Sequence, residues 1–288
     1  MMAYMYFAKV NINDEIYEVY KNTNKLQNIL DNLMYSFNTG EIVDLPKSKG
    51  SIKFITVEKE LDQRYIYGRL IKVYKDELQY YDDANDDLTD LPTDKLVRSA
   101  TFYFDLKTEI VAFTTTQFFG PKQFCLFFEM LINKCVGEER FKVFLLKDAD
   151  NFKEKLKQFK KITEVNVTIV PKNPGRENFN SMFANPEAVQ STGAKIYKQT
   201  FKADGKDENG LNMDNYYMNN TINGVMDGYG DMKVIGIGMS SQKISVTSDK
   251  DAPERIAIPN AEKKSIPSVV EKGMEGIKRI ISKFHGRW

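Results

Sequence analysis

The chain has 288 residues, a length typical of two domains, with 42% hydrophobic and 28% charged residues. That composition excludes wholesale disorder and collagen-like repeats. Its 41 Lys and Arg against 40 Asp and Glu leave a formal charge of +1, so a polyanion-binding surface must be local. The chain has one histidine, His285, which excludes metal sites built on paired histidines and leaves Ser–His or Cys–His catalysis dependent on that residue.

The first part of the chain switches between apolar patterns of period two and period 3.6, which predicts an α+β fold. An apolar stripe at helical spacing starts near Asn24, and Pro121 opens a second, strongly apolar helix that runs to about Cys135. The acidic segment 82–94 (DDANDDLTDLPTD) is predicted to be a solvated loop, because it lacks the glycine and terminal glutamate of a calcium-binding loop. Strand patterns cover 4–10, 52–57, 65–74, 99–105, 109–116 and 141–146.

The next helix carries many lysines. Asp148 or Asp150 suits its N-cap, and its apolar positions Phe152, Leu156 and Phe159 recur at i, i+4 and i+7. This spacing predicts one continuous helix through Phe159.

Residues 171–175 (PKNPG) end the strand predicted over 164–170, and we place the domain boundary there. Residues 1–172 are predicted to form a mixed, largely antiparallel sheet domain with packed helices. Residues 173–288 are predicted to form a smaller α+β domain that ends in a basic amphipathic helix after Pro267. The second domain has strand patterns near 194–203, 231–239, 243–248 and 255–258, and a helix pattern over 213–226.

The common catalytic signatures are missing from the sequence, including GxxxxGK[ST], GxSxG and HExxH. The glycines of 228–230 and 236–238 open no helix, so they are interpreted as strand-entry and close-packing residues. Carboxylates are the remaining route to catalysis, as in a metal-dependent nuclease. The candidates are Asp204, Asp207 and Glu208, or Asp227 and Asp231, although 204–210 is better explained as a turn. We predict no metal or cofactor, and the question of an enzyme stays open with a preference for none.

Cellular location follows from the cysteines and the longest apolar run. Cys125 and Cys135 are interpreted as small buried side chains in a reducing compartment. The run 124–132 is far shorter than a membrane span. We therefore expect a soluble, cytoplasmic protein.

Two local groups of basic residues are candidates for binding a phosphate backbone without sequence selectivity. The alternative interpretation is two ordinary amphipathic helices with solvated lysines. The first group, predicted on one helix face and past the following strand, is Lys153, Lys157, Lys160, Lys161, Lys172 and Arg176. The second group, on the C-terminal helix, is Lys272, Lys278, Arg279, Lys283 and Arg287.

The order of landmarks resembles the RexA-like phage and prophage exclusion proteins and related uncharacterised bacterial families. The landmarks are 102–105 (FYFD), 110–113 (IVAF), 119–121 (FGP), 171–174 (PKNP) and 206–210 (KDENG). The resemblance covers roughly residues 97–215. It implies a cytoplasmic, non-enzymatic DNA-binding sensor of phage infection that acts as a homodimer and signals to a separate membrane-channel partner.

The leading hypothesis is therefore non-specific DNA binding in anti-phage defence. Two alternatives stay open. One is a metal-dependent nuclease effector of a defence system, and the other is a phage-encoded module that contacts a host protein in counter-defence.

Overall fold

The computed structural model of the chain describes residues 2–45, 50–82, 86–116, 119–173, 190–204 and 209–285, with side chains at all of these except 75–82, 87–94, 284 and 285. No helix within these ranges is long and apolar enough to cross a membrane.

The described strands are β1 (Met2–Ile12), β2 (Ile42–Leu45), β3 (Gly50–Glu60), β4 (Tyr65–Asp82), β5 (Asp87–Asp105), β6 (Ile110–Thr114), β7 (Phe141–Leu145), β8 (Phe159–Ile169), β9 (Tyr197–Lys202), β10 (Gly230–Gly238), β11 (Lys243–Thr247) and β12 (Arg255–Pro259). The described helices are α1 (Ile16–Lys21), α2 (Asn24–Ser36), α3 (Pro121–Val136), α4 (Ala149–Leu156), α5 (Tyr216–Met226), α6 (Ser248–Asp251) and α7 (Ile266–His285).

The strands form two sheets. The larger sheet has eight strands in the order β12-β1-β6-β5-β4-β3-β2, and β7 also pairs with β1. The smaller sheet has the order β11-β10-β8-β9. The strand pairs are antiparallel in both sheets. The predicted α+β class with a largely antiparallel sheet is confirmed.

Helices cover both faces of the larger sheet, because its central strands are apolar on both sides. Phe102 and Phe104 point to the side of α2 and α3, and Tyr103 points to the side of α7. On the first side Phe128 of α3 packs edge-on against Phe102, with 5.4 Å between the ring centroids. The centroid of the Phe54 ring lies 5.5 Å from that of the Phe128 ring. This cluster of buried aromatic rings is the centre of the main core.

On the other face, α7 approaches the sheet closely because it carries two glycines on its inner side. A Cβ added at Gly276 would lie 2.3 Å from the Phe7 ring, and one at Gly273 would lie 2.9 Å from Tyr103. Larger residues at these positions would push the helix away from the sheet. The C-terminal amphipathic helix therefore has its apolar side buried against the larger sheet.

The two sheets do not divide the chain at residue 172, where the sequence places the domain boundary. The strand β8 precedes that residue and belongs to the smaller sheet, and β12 follows it and pairs with β1. The strand β8 ends at Ile169, just before the predicted boundary, but the end of a strand does not determine which sheet the flanking strands join.

The smaller sheet is covered by helices on one side. Val165 and Val167 of β8 point inward with Val234 of β10, and they pack against side chains of α4 and α5 such as Phe152 and Val225. Gly236 lies within β10, where an added Cβ would meet the carbonyl oxygen of Lys161 at 2.2 Å, so the interpretation of this glycine as a close-packing residue is confirmed.

Two local predictions are wrong. The segment 82–94 is not a loop along its length, because β4 and β5 form a long hairpin with Asp82 opposite Asp87. Aspartate is rare in strands, so composition hid this pairing. The helix predicted through Phe159 ends at Leu156, and Phe159 begins β8 and pairs with Gly238. Phe159 is buried in the core of the smaller sheet. An apolar residue suits the buried side of a helix as well as that of a strand, so the apolar character of Phe159 does not distinguish the two.

Candidate nucleic-acid interface

The outer face of the smaller sheet is the side that the described helices leave uncovered. Strand alternation determines which residues lie there. In β9, Phe201 faces the core, and Lys198, Thr200 and Lys202 point outward and are exposed. The sequence of this strand therefore separates a polar, positively charged side from a half-buried apolar side.

Lysines occupy this outer face on each of the four strands, and we call them together the lysine face. The register aligns them: Lys202 lies opposite Glu164 of β8, and Lys243 and Lys161 both lie opposite Ile237 of β10. The members of the lysine face are Lys161, Lys198, Lys202, Lys233 and Lys243. Four of the five are exposed, and Lys161 is half-buried.

The lysine face spans about 14 Å in each direction. Three strand spacings separate β9 from β11, at about 4.8 Å each, and Lys198 and Lys202 are four residues apart at about 3.4 Å each. At about 3.4 Å of helix axis per nucleotide of one DNA strand, the face spans the length of about four phosphates.

The electrostatics of the face are positive around the carboxylate of Glu164, and Asp231 places a second carboxylate at one edge. Glu164 lies between Lys202 and the amide of Asn166, with 3.5 Å from its Oε2 to Lys202 Nζ and 2.7 Å from its Oε1 to Asn166 Nδ2. The hydrogen bond from Asn166, then the charges of Lys202 and Lys243, lower the pKa of Glu164. Lysines of both edge strands, β9 and β11, therefore act on a carboxylate of the inner strand β8.

Between the lysines, the face offers hydroxyl and amide groups. Thr200 Oγ1 donates to Asn166 Oδ1 at 2.8 Å, and Thr168 and Ser245 also lie on this side. Ile235, half-buried, gives the centre an apolar patch. Ammonium, hydroxyl and amide groups are the groups that contact phosphate oxygens and sugars, and they carry no sequence preference by themselves.

The structure separates the residues predicted in the first basic group. Lys153 and Lys157 are exposed on or just after α4, and Lys157 Nζ lies 2.5 Å from Glu154 Oε1. Lys160 and Lys161 are in β8 instead of the predicted helix, because α4 ends at Leu156. Of these four, Lys161 lies on the lysine face.

Lys172 does not extend the basic surface past the strand as predicted, because it is buried. Its side chain is 7% exposed, lies 3.8 Å from Asp227 Oδ2 and stands over the ring of Tyr229 at 5.6 Å. The Lys172 ammonium therefore belongs to a buried ion pair and not to a solvated surface. The other distal member of the group, Arg176, lies outside the described residues.

Ion pairs offset part of the charge of the second basic group. Lys272 Nζ lies 2.7 Å from Glu275 Oε2. Arg279 and Lys283 both contact Glu254, at 2.7 and 3.3 Å. Lys278 is exposed, and Arg287 lies outside the described residues. The positive field of this helix is consequently weaker than its composition indicates.

The carboxylates considered for a nuclease do not converge. In the part of the chain that the structure describes, no group of three or more His, Cys, Asp or Glu residues is placed to hold a metal ion. Asp227 is near Lys172, and Asp231 contacts Lys147 at 3.2 Å. Asp204 is exposed, and the other two candidates, Asp207 and Glu208, lie outside the described residues.

Sequence reasoning missed most of the lysine face, namely Lys198, Lys202, Lys233 and Lys243. The pattern of 198–202 (KQTFK) indicates part of this face. Alternate residues of a strand point to the same side, so Lys198 and Lys202 share one side of the strand. The other lysines are isolated in the sequence, and the sheet register brings them together.

Comparison with known proteins gives one family. Residues 5–274 match the family model described as a domain of unknown function, DUF4747. No curated protein and no solved structure matches the chain.

Proposed function

The chain belongs to the DUF4747 family, a domain of unknown function, and we propose that it binds nucleic acid without sequence selectivity through the lysine face. The observation that carries this proposal is the arrangement of five lysines over four adjacent strands, on a side of the sheet that the described helices leave open.

The proposal keeps the ligand predicted from the sequence, a nucleic acid, and assigns it to a different surface, the lysine face. The basic residues of α7 are engaged by Glu254 and Glu275, which reduces what they offer to a phosphate. On the lysine face, Glu164 contacts one lysine, and the exposed Lys198, Lys233 and Lys243 point outward. Each lysine that replaces a condensed counterion on a polynucleotide contributes to affinity through release of that ion.

The biological role stays a proposal that rests on the resemblance described above. A non-specific nucleic-acid binder is compatible with a sensor in phage exclusion that acts as a cytoplasmic homodimer with a separate membrane-channel partner. The nuclease and counter-defence alternatives make different predictions. A nuclease would cut plasmid in the presence of magnesium or manganese, and a counter-defence module would retain one host protein in the absence of polyanions.

The proposal is tested with two matched triple variants. Lys198→Glu/Lys233→Glu/Lys243→Glu reverses three exposed lysines of the lysine face. Lys153→Glu/Lys157→Glu/Lys278→Glu reverses three exposed lysines of the groups predicted from sequence. Fluorescence anisotropy with labelled 30-mers of single-stranded DNA, duplex DNA and RNA measures the affinity of each variant, and thermal unfolding confirms that both variants fold.

We expect the first variant to lose at least about tenfold in affinity for every polynucleotide and the second to stay within about threefold of the wild type. Equal losses in the two variants, or no binding by the wild type near physiological salt, would refute the proposal.

A further inference from the structure

A cavity of about 480 Å³ opens at one end of the lysine face. Asp231 connects the two, because it lies on the outer side of β10, opposite Thr168 and two residues before Lys233. The wall of the cavity combines apolar side chains with a few charged ones. Its lining includes Lys122 and Leu126 of α3, Phe144 of β7, and Asp231 and Asp249.

The charged end of the cavity is held by a buried lysine. The Lys147 side chain is fully buried, and its Nζ donates to the Gly230 carbonyl at 2.6 Å. The same Nζ lies 3.2 Å from Asp231 Oδ1 and 3.2 Å from Asp249 Oδ1. Lys122, mostly exposed at the rim, contacts Asp249 Oδ2 at 3.2 Å. Two carboxyl groups are therefore fixed in position by two amines.

The two carboxyl groups differ in accessibility and in ionisation. Asp249 is 8% exposed and both of its oxygens face amines, Oδ1 towards Lys147 and Oδ2 towards Lys122, whereas the Asp231 side chain is 31% exposed. Burial and the neighbouring Asp249 raise the pKa of Asp231 to about 6, against the opposing effect of Lys147. Burial also disfavours the charge on Asp249, but Lys147, Asp231 and Lys122 lower its pKa overall. Asp231 is the carboxyl group that a ligand reaches.

We propose that this cavity accepts a single nucleobase that carries an amino group on its pairing edge, with guanine the best fit. The proposal rests on the function proposed above, because it assigns the cavity to a nucleotide of the strand that the lysine face binds.

Size and position support a base as the occupant. The volume lies within the range of about 300 to 1,000 Å³ of ligand pockets and accommodates a base with its sugar. Asp231 and Lys233 are about 7 Å apart on the same side of β10, so the cavity lies directly beside the lysine face. Unstacked bases of single strands are commonly held in such pockets beside a backbone-binding surface.

The chemistry of the wall distinguishes a base from a phosphate. A carboxylate beside a cationic surface repels phosphate, but it accepts hydrogen bonds from amino and imino groups. Guanine presents two adjacent donors to such a group, and uracil presents no amino group. Leu126, which is 54% exposed, and Phe144 supply the apolar contact for the ring faces.

The test uses GMP and UMP, which share sugar and phosphate and differ in the base. Isothermal titration calorimetry measures their affinities for the wild type and for three single variants. Leu126→Trp places an indole in the cavity at an exposed position, and Asp231→Asn replaces the accessible acceptor with an amide. Asp150→Asn, on the exposed side of α4, is the matched control for the loss of one carboxylate.

We expect GMP to bind the wild type and the control at least about fivefold more tightly than UMP. Leu126→Trp should abolish GMP binding and leave polynucleotide binding intact, and Asp231→Asn should remove the preference for GMP. Equal binding of the two nucleotides, binding of neither, or full GMP binding by Leu126→Trp would overturn the inference. GMP binding without polynucleotide binding would support the cavity and refute the proposed function, so the two failures are distinguishable.

Discussion

Replacement of the buried Lys147 by methionine is a demanding test of the cluster that joins the two sheets. Lys147 follows β7 of the larger sheet, and its ammonium contacts Asp231 and Gly230 of β10 in the smaller one. Methionine fills a similar volume but donates no hydrogen bond. The variant therefore leaves Asp231 and Asp249 facing each other without a cation between them.

The expected loss is large because the pair is buried. Removing one member of a buried ion pair typically costs about 3 to 5 kcal/mol, since an uncompensated charge stays out of water. A domain has about 5 to 15 kcal/mol of stability in total, so Lys147→Met should bring the protein close to its unfolding threshold.

Urea denaturation at pH 8 and pH 5 measures this effect. Without Lys147 the pKa of Asp231 rises further above its unfolded value, and Asp249 loses one of the cations that lower its pKa. A carboxyl group with a raised pKa loses stability as the pH rises through its folded pKa. The free energy of unfolding should therefore fall by about 3 kcal/mol or more at pH 8 and by less at pH 5. A loss below about 1 kcal/mol at pH 8, or an equal loss at both pH values, would refute this reasoning.

Three further outcomes are expected from urea denaturation. Phe128→Ala should lose about 3 to 5 kcal/mol, because it opens a cavity among buried rings; a loss below about 1.5 kcal/mol would contradict the packing described. Asp148→Ala should lose about 1 kcal/mol, because Asp148 accepts from the backbone amides of Asp150 and Asn151 at the start of α4; an unchanged midpoint would argue against that cap. Asp231→Asn should gain stability relative to the wild type as the pH rises from 4 to 8, because burial holds the wild-type pKa near 6 and penalises ionisation; the opposite trend would show that this charge is favourable.

The sequence is informative where an element carries its own signal. The apolar stripe of α2 and the proline that opens α3 place both helices close to their observed starts. Asp148 was one of two candidates for the N-cap of α4, and its side chain forms the predicted hydrogen bonds. Each of these signals depends on residues that are close together in the sequence, so it does not depend on which distant segments pack against the helix.

The sequence is least informative where distant partners decide the outcome. The side chain of Lys172 resembles any solvated lysine until the fold brings Asp227 beside it. Lys233 and Lys243 are unremarkable in the sequence, and they join Lys198 only through the register of four strands. The candidate interface therefore depends on the pairing of distant strands, which the hydrophobic periodicity and the composition of the sequence do not reveal.

The salt dependence of polynucleotide binding tests the central claim most directly. If all five lysines of the lysine face contact phosphates of a duplex, the logarithm of the association constant should fall with the logarithm of salt concentration with a slope of about −4.5. The neutral variant Lys198→Gln/Lys233→Gln/Lys243→Gln should reduce the slope to about −2. A slope near zero for the wild type, or the same slope for the variant, would contradict the assignment of this face to nucleic acid.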